Sequence, residues 1–179
     1  AMAHHGAWRT GDDRVASMTR YGAQHGPDIT FLGVDRCDLD EPESFADADV
    51  VILGAPFDGG TSHRPGTRFG PQAIRMTDYL PHDGSRPSLA LRVDGLQDLR
   101  VVDAGDVEMY SGDIERSLPK LEAAVTTVVN AGAIPIVLGG DHSIAFPDAK
   151  GCANVLGQGR VSMIHFDAHA DTGDIEFGS

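Results

Sequence analysis

Cysteine and positive charge are both scarce in this chain. Two thiols in 179 residues, Cys37 and Cys152, cannot build a disulfide framework. Neither stands in a Cys-x-x-Cys pair, so free thiols in a reducing compartment are expected. Fourteen Lys and Arg against twenty-seven Asp and Glu leave a net charge of −13. Nucleic acid therefore finds no basic patch to dock on; an acidic field favours cationic ligands or simply keeps the surface solvated. No apolar run reaches the roughly eighteen residues of a membrane span. The opening Ala-Met-Ala-His-His-Gly-Ala-Trp has no signal-peptide apolar core. A cytoplasmic protein with no membrane partner is expected, with His4 and His5 as a tag remnant or solvated tail. The glycine-rich stretch 54–70 is followed by no Gly-Lys-Ser/Thr and lacks the dinucleotide pattern, which excludes both common phosphate-binding loops.

What is present reads as one α/β domain. An apolar share of 41% with 23% charged residues is ordinary for a globular chain of this length. Residues 1–45 are polar and irregular and read as an N-terminal arm able to pack on a neighbouring subunit; the domain proper is expected over 46–179. The run 48–53 predicts a buried strand of a parallel sheet, followed by a long loop and a helix with Pro71 in its first turn. A second strand is expected over 99–103. Ile114, Leu118, Leu121, Val125 and Val128 have helical spacing over 113–130, with Gly132 as the stop. Pro119 is expected to confine that helix to the residues after Leu118 or to kink it near its start. Strands at 133–138 and 161–166 complete a parallel pattern. The crossover helix between them is expected to be short or irregular because of Pro147, Gly151 and Gly157.

Chemistry concentrates after the last two strands. Gly-Gly-Asp-His-Ser occupies 139–143, and His165-Phe-Asp-Ala-His-Ala-Asp171 follows. Extended chain alternates sides with period two, so Asp167, His169 and Asp171 can face one cavity. His142 lies just beyond the neighbouring run, and open α/β sheets gather ligands outside the carboxyl ends of their strands. Three polar groups at the edge of a core without a basic neighbour call for a cation. Mixed nitrogen and oxygen donors suit Mn(II), Zn(II), Fe(II) or Ni(II) better than Ca(II) or Mg(II). His165, between Ile164 and Phe166, is read as a hydrogen-bonded structural residue of a partly buried strand.

These two motifs, together with Gly54-Ala-Pro-Phe-Asp-Gly-Gly-Thr-Ser-His-Arg-Pro-Gly-Thr-Arg-Phe-Gly-Pro-Gln-Ala-Ile-Arg75, resemble the ureohydrolases, the arginase and agmatinase superfamily. The upstream stretch is closer to the agmatinase, guanidinobutyrase and guanidinase branch. The resemblance implies a three-layer α/β/α fold with a parallel sheet. It also implies two divalent metal ions, usually Mn2+ and in some guanidine-hydrolysing members Ni2+. It places His142 and Asp171 on the first ion, His169 on the second and Asp167 between them. It further implies hydrolysis of a linear guanidino compound to urea and an amine, and a homo-oligomer, trimer or hexamer. The family's later Asp-x-Asp ligands and its proton-shuttling residues match nothing here, so no catalytic residue is assigned, and the chain is expected to be the N-terminal part of a longer polypeptide. Asp174 and Glu176 fall where the family discriminates substrates and are candidate substrate contacts.

Other residues carry weaker readings. Asp58, His63 and Arg68 either line the pocket or meet a neighbouring subunit, and Asp141 reads as a backbone-bonded carboxylate beside the ligand His142. Ser143 has no catalytic His partner and reads as a helix cap. Two rivals stand beside a ureohydrolase: an inactive or regulatory subunit of a hetero-oligomer, and a deacetylase-like metal amidohydrolase. The extended Asp-x-His-x-Asp motif and Gly-Gly-Asp-His-Ser argue against the second.

Overall fold

Four parallel strands organise the chain. A computed structural model describes residues 29–77, 88–171 and 173. The strands are β1 (Asp35–Arg36), β2 (Val50–Ala55), β3 (Val101–Asp106) and β4 (Ile134–Gly139), in the spatial order β1-β3-β2-β4. Every residue of β2 is buried, as expected of a strand flanked on both sides and covered on both faces. The helices are α1 (Gly70–Met76), α2 (Gly95–Asp98), α3 (Ile114–Asn130) and α4 (Ala145–Leu156).

Period-two alternation divides the sheet into two faces. Val51, Leu53, Ala55 and Val102 pack with Leu121, Val125 and Val128 of α3 in the main core. On the opposite face Asp103, level with Ile52, meets Arg75 of α1. Helices therefore cover both faces, giving the three-layer α/β/α arrangement expected. The segment expected as an arm contributes to this body from Phe31 on, whose amide donates to Asp103. β1 pairs with β3, and Cys37 and Phe45 lie in the core.

Two helices differ from expectation. α3 begins at Ile114 and runs through Pro119 to Asn130. Asp113 caps it by accepting from the Arg116 amide at 3.0 Å, and five buried side chains along its inner face offset the backbone bond that Pro119 cannot donate. α4 is a regular twelve-residue helix. Pro147 falls in its first turn, where no backbone donor is needed. Gly151 is set where α4 meets α3, so close that a Cβ would lie 2.7 Å from Val125.

The strand expected over 161–166 does not form. β-branched and aromatic residues favour strands only where a ladder and a covering layer receive them. Here the segment pairs with no other described residue, and Ile164 and Phe166 are 84% and 96% exposed. Among the described residues β4 is consequently an edge strand, with Ile134 and Ile136 exposed.

Candidate metal centre

The register of β2 with β4 ends at the pair Ala55 and Gly139, so the loops leaving both strands emerge side by side. Gly140 turns there with φ +92°, and a Cβ at that position would run into the carbonyl oxygens of Ala55 and Phe57. The next residue ties the two loops together. The Asp141 amide donates to the Phe57 carbonyl at 2.8 Å, while its carboxylate accepts from the Gly60 amide at 2.7 Å. The same carboxylate accepts from the Ser143 amide at 3.0 Å and from the Ser143 hydroxyl. Asp141 is thus the backbone-bonded brace expected of it. Asp141 also caps the short turn His142–Ile144, while α4 has Ile144 at its N-cap with no side-chain cap, so Ser143 does not cap the following helix as expected. A carboxylate accepts from the first free amides of a turn more strongly than a hydroxyl, and Ser143 instead donates to it.

Held at this edge, His142 projects toward the segment after α4. Ligand atoms of His142, His165, Asp167 and Asp171 all lie within 4.8 Å of one another. His142 Nε2 is 3.3 Å from Asp171 Oδ2; His165 Nε2 is 3.4 Å from Asp167 Oδ2 and 3.7 Å from Asp171 Oδ2. The two imidazoles stack with centroids 5.0 Å apart at 20°. The structure therefore brings together three of the four residues expected as ligands. His169 stands at the rim, its side chain 82% exposed and Nδ1 3.5 Å from Asp167 Oδ1. Asp174 and Glu176 lie outside the described residues.

His165 does not sit in the partly buried strand expected of it: its neighbours Ile164 and Phe166 face outward while its own ring turns to the carboxylates. The signal in the sequence was its spacing, two before Asp167. The environment differs from expectation too: all four residues are exposed, so burial at the edge of a core does not call for a cation here, and the close approach of two carboxylates is what favours one. The Asp167 carboxyl is held below its ordinary range, first by the His169 amide, which donates to Oδ1 at 2.9 Å, and further by His165.

These donors suit a divalent transition ion. Nitrogen and oxygen ligands bind such an ion at about 2.0–2.2 Å, so ligands on opposite sides of it lie roughly 4.4 Å apart, close to the spread found here.

Two acidic residues outside the centre serve the scaffold. Asp58 accepts from the Gly66 amide at 2.7 Å and from Arg68 Nε at 2.8 Å, folding the loop after β2 onto itself, and Arg68 Nη1 reaches Ser111 Oγ at 3.1 Å. His63 lies exposed on the same loop. Under the sheet, Arg75 donates to both oxygens of buried Asp103 at 2.9 Å, and Asp103 also accepts from the amides of Phe31 and Gly105. That network was not anticipated, because a lone Asp ending an apolar run resembles a strand terminus.

A parallel α/β sheet whose carboxyl edge gathers imidazoles and carboxylates marks an open-sheet α/β protein with a candidate metal centre at the usual ligand edge of that class. The family model of the Arginase family matches residues 48–179, and the chain belongs to that family. It is 38% identical over 135 residues to the mitochondrial guanidino acid hydrolase of Homo sapiens, covering 73% of this chain and 36% of that protein. It is also 38% identical over 131 residues to the proclavaminate amidinohydrolase of Streptomyces clavuligerus, covering 73% and 40%. Among solved structures it is similar to a hypothetical agmatinase from Burkholderia thailandensis, with TM-score 0.70, 30% identity and coverage of 87% and 47%. A Trypanosoma cruzi formiminoglutamase with Mn2+ matches with TM-score 0.50 and 31% identity, covering 67% and 41%. The chain thus spans well under half the length of these curated relatives. Among the described residues no helix is long and apolar enough to cross a membrane.

Proposed function

We propose that this chain is part of a metal-dependent ureohydrolase that hydrolyses a linear guanidino compound to urea and an amine. The observation that carries the reading is the convergence of His142, Asp167 and Asp171 at the carboxyl edge of β4, in a member of the Arginase family. Relatives named as agmatinase and guanidino acid hydrolase support the substrate class.

In this reading His142 and Asp171 would hold one divalent ion and His169 a second, with Asp167 available to both. When bound, such ions supply Lewis acidity and activate water for attack near neutral pH. Asp141 fixes the turn from which His142 projects, and so the direction of its ring. The carboxylates balance the charge of the ions, so a cationic guanidinium is not repelled from the site. Asp174 and Glu176 are proposed to hold the distal end of the substrate. Mn2+ is the proposed metal, with Ni2+ the alternative, in a cytoplasmic homo-oligomer.

The test is urea release from agmatine, guanidinobutyrate, guanidinopropionate and guanidine by the whole protein. The expected result is urea from at least one of them, lost on chelation and restored by Mn2+ or Ni2+. A metal-free protein that retains full activity would overturn the reading.

A further inference from the structure

We infer that His165 is a positioning residue of this metal centre, holding the Asp167 and Asp171 carboxylates and the His142 ring in the arrangement that receives a divalent cation. The inference rests on the metal-binding reading proposed above. Three contacts carry it. His165 Nε2 stands 3.4 Å from Asp167 Oδ2 and 3.7 Å from Asp171 Oδ2, so one ring nitrogen separates two carboxylates that repel each other. Its ring stacks on His142, whose own Nε2 is 3.3 Å from that same Asp171 oxygen. The four side chains thus close a circuit in which His165 touches each of the other three.

The backbone explains why such a residue is needed. Among the described residues, 161–171 belong to no strand or helix and are exposed, so no described ladder or layer orients these side chains. Asp171 sits at φ 49°, in the left-handed region, which turns it back toward the cluster. The His169 amide occupies Asp167 Oδ1, leaving Oδ2 to face His165. With His165 removed, Asp171 would keep its 3.3 Å approach to His142 Nε2, but the His142 ring would lose the imidazole stacked on it and Asp167 Oδ2 would lose its 3.4 Å neighbour. Groups that orient metal ligands in this way typically change affinity about 10–100-fold when lost.

The experiment is a titration of the protein with Mn2+, the free ion followed by electron paramagnetic resonance, with circular dichroism showing that each variant keeps its fold. His165→Ala is expected to weaken Mn2+ binding about 10–100-fold. His165→Gln, whose amide can still donate between the two carboxylates, is expected to regain most of that loss. His142→Ala, lacking a ligand, is expected to lose the ion. If His165→Ala binds Mn2+ like the unaltered protein while His142→Ala does not, the role of His165 falls and the metal centre stands. If His165→Gln is as weak as His165→Ala, the imidazole binds the ion itself and the positioning role falls. If the unaltered protein takes up no Mn2+, the metal-binding reading falls and takes this inference with it.

Discussion

Two carboxylates, Asp58 in the loop after β2 and Asp103 within β3, show how burial and partners set a residue's role. Asp58 is held at a pKa of about 2, below its ordinary 3.8, chiefly by its hydrogen bond to Arg68 and then by the Gly66 and Arg68 amides, against the opposing effect of burial. A carboxyl depressed on folding stabilises the native state above its unfolded pKa and loses that effect as pH falls through the folded value. Urea midpoints of the protein and of Asp58→Asn should therefore differ constantly above about pH 4 and converge as pH falls toward 2. A constant difference down to pH 2 would show that Asp58 is not the titrating group. Asp103 is a different case: its side chain is fully buried and its partner Arg75 nearly so. Arg75→Ala leaves that charge without its counterion and should cost about 3–5 kcal/mol in chemical denaturation. Arg75→Lys should recover only part, since a single ammonium cannot meet both carboxylate oxygens as the guanidinium fork does.

At the scale of elements, the contact of α3 with α4 decides how well the second layer is anchored behind the site. Gly151 lets the two helices approach; an Ala side chain would meet Val125 Cβ and Cγ1 at 2.7 Å and the Glu122 carbonyl at 2.9 Å. Gly151→Ala is expected to destabilise by about 1–3 kcal/mol despite the better helix propensity of alanine, because overpacking outweighs propensity here. Thermal unfolding of that variant checks the sign, and a gain in stability would show that the helices can separate at no loss. The same balance accounts for Pro119. Its missing donor is a local defect, while Leu121, Ala124, Val125 and Val128 are buried downstream of it, and each fully buried Leu or Val side chain contributes about 1.5–3 kcal/mol. Packing wins over the local break.

For the whole molecule, strand order decides the location of chemistry. The path β2 to β3 to β4 crosses β2, so β4 returns to the other side of it, and the loops after β2 and β4 become neighbours. The parallel strands, the helix over 114–130 and the His/Asp motifs were legible because they are written in period: two for strands, 3.6 for helices, and two again for the ligands. The family was legible from ordered motifs, and the match over residues 48–179 bears it out. Three features were decided only in three dimensions. The contribution of 35–45 to sheet and core was hidden by its polarity, since a two-residue strand carries no periodic signal. The run 161–166 has a strand's composition, yet a strand requires a neighbour to hydrogen-bond with, and composition says nothing about that. The place of His165 in the centre, with His169 at its rim, follows from how the backbone turns after residue 166. Residue types and spacing are local properties, so the sequence alone determined that imidazoles and carboxylates would meet at a strand exit. Which of them face one another depends on backbone directions that distant contacts impose, and those only the folded chain decides.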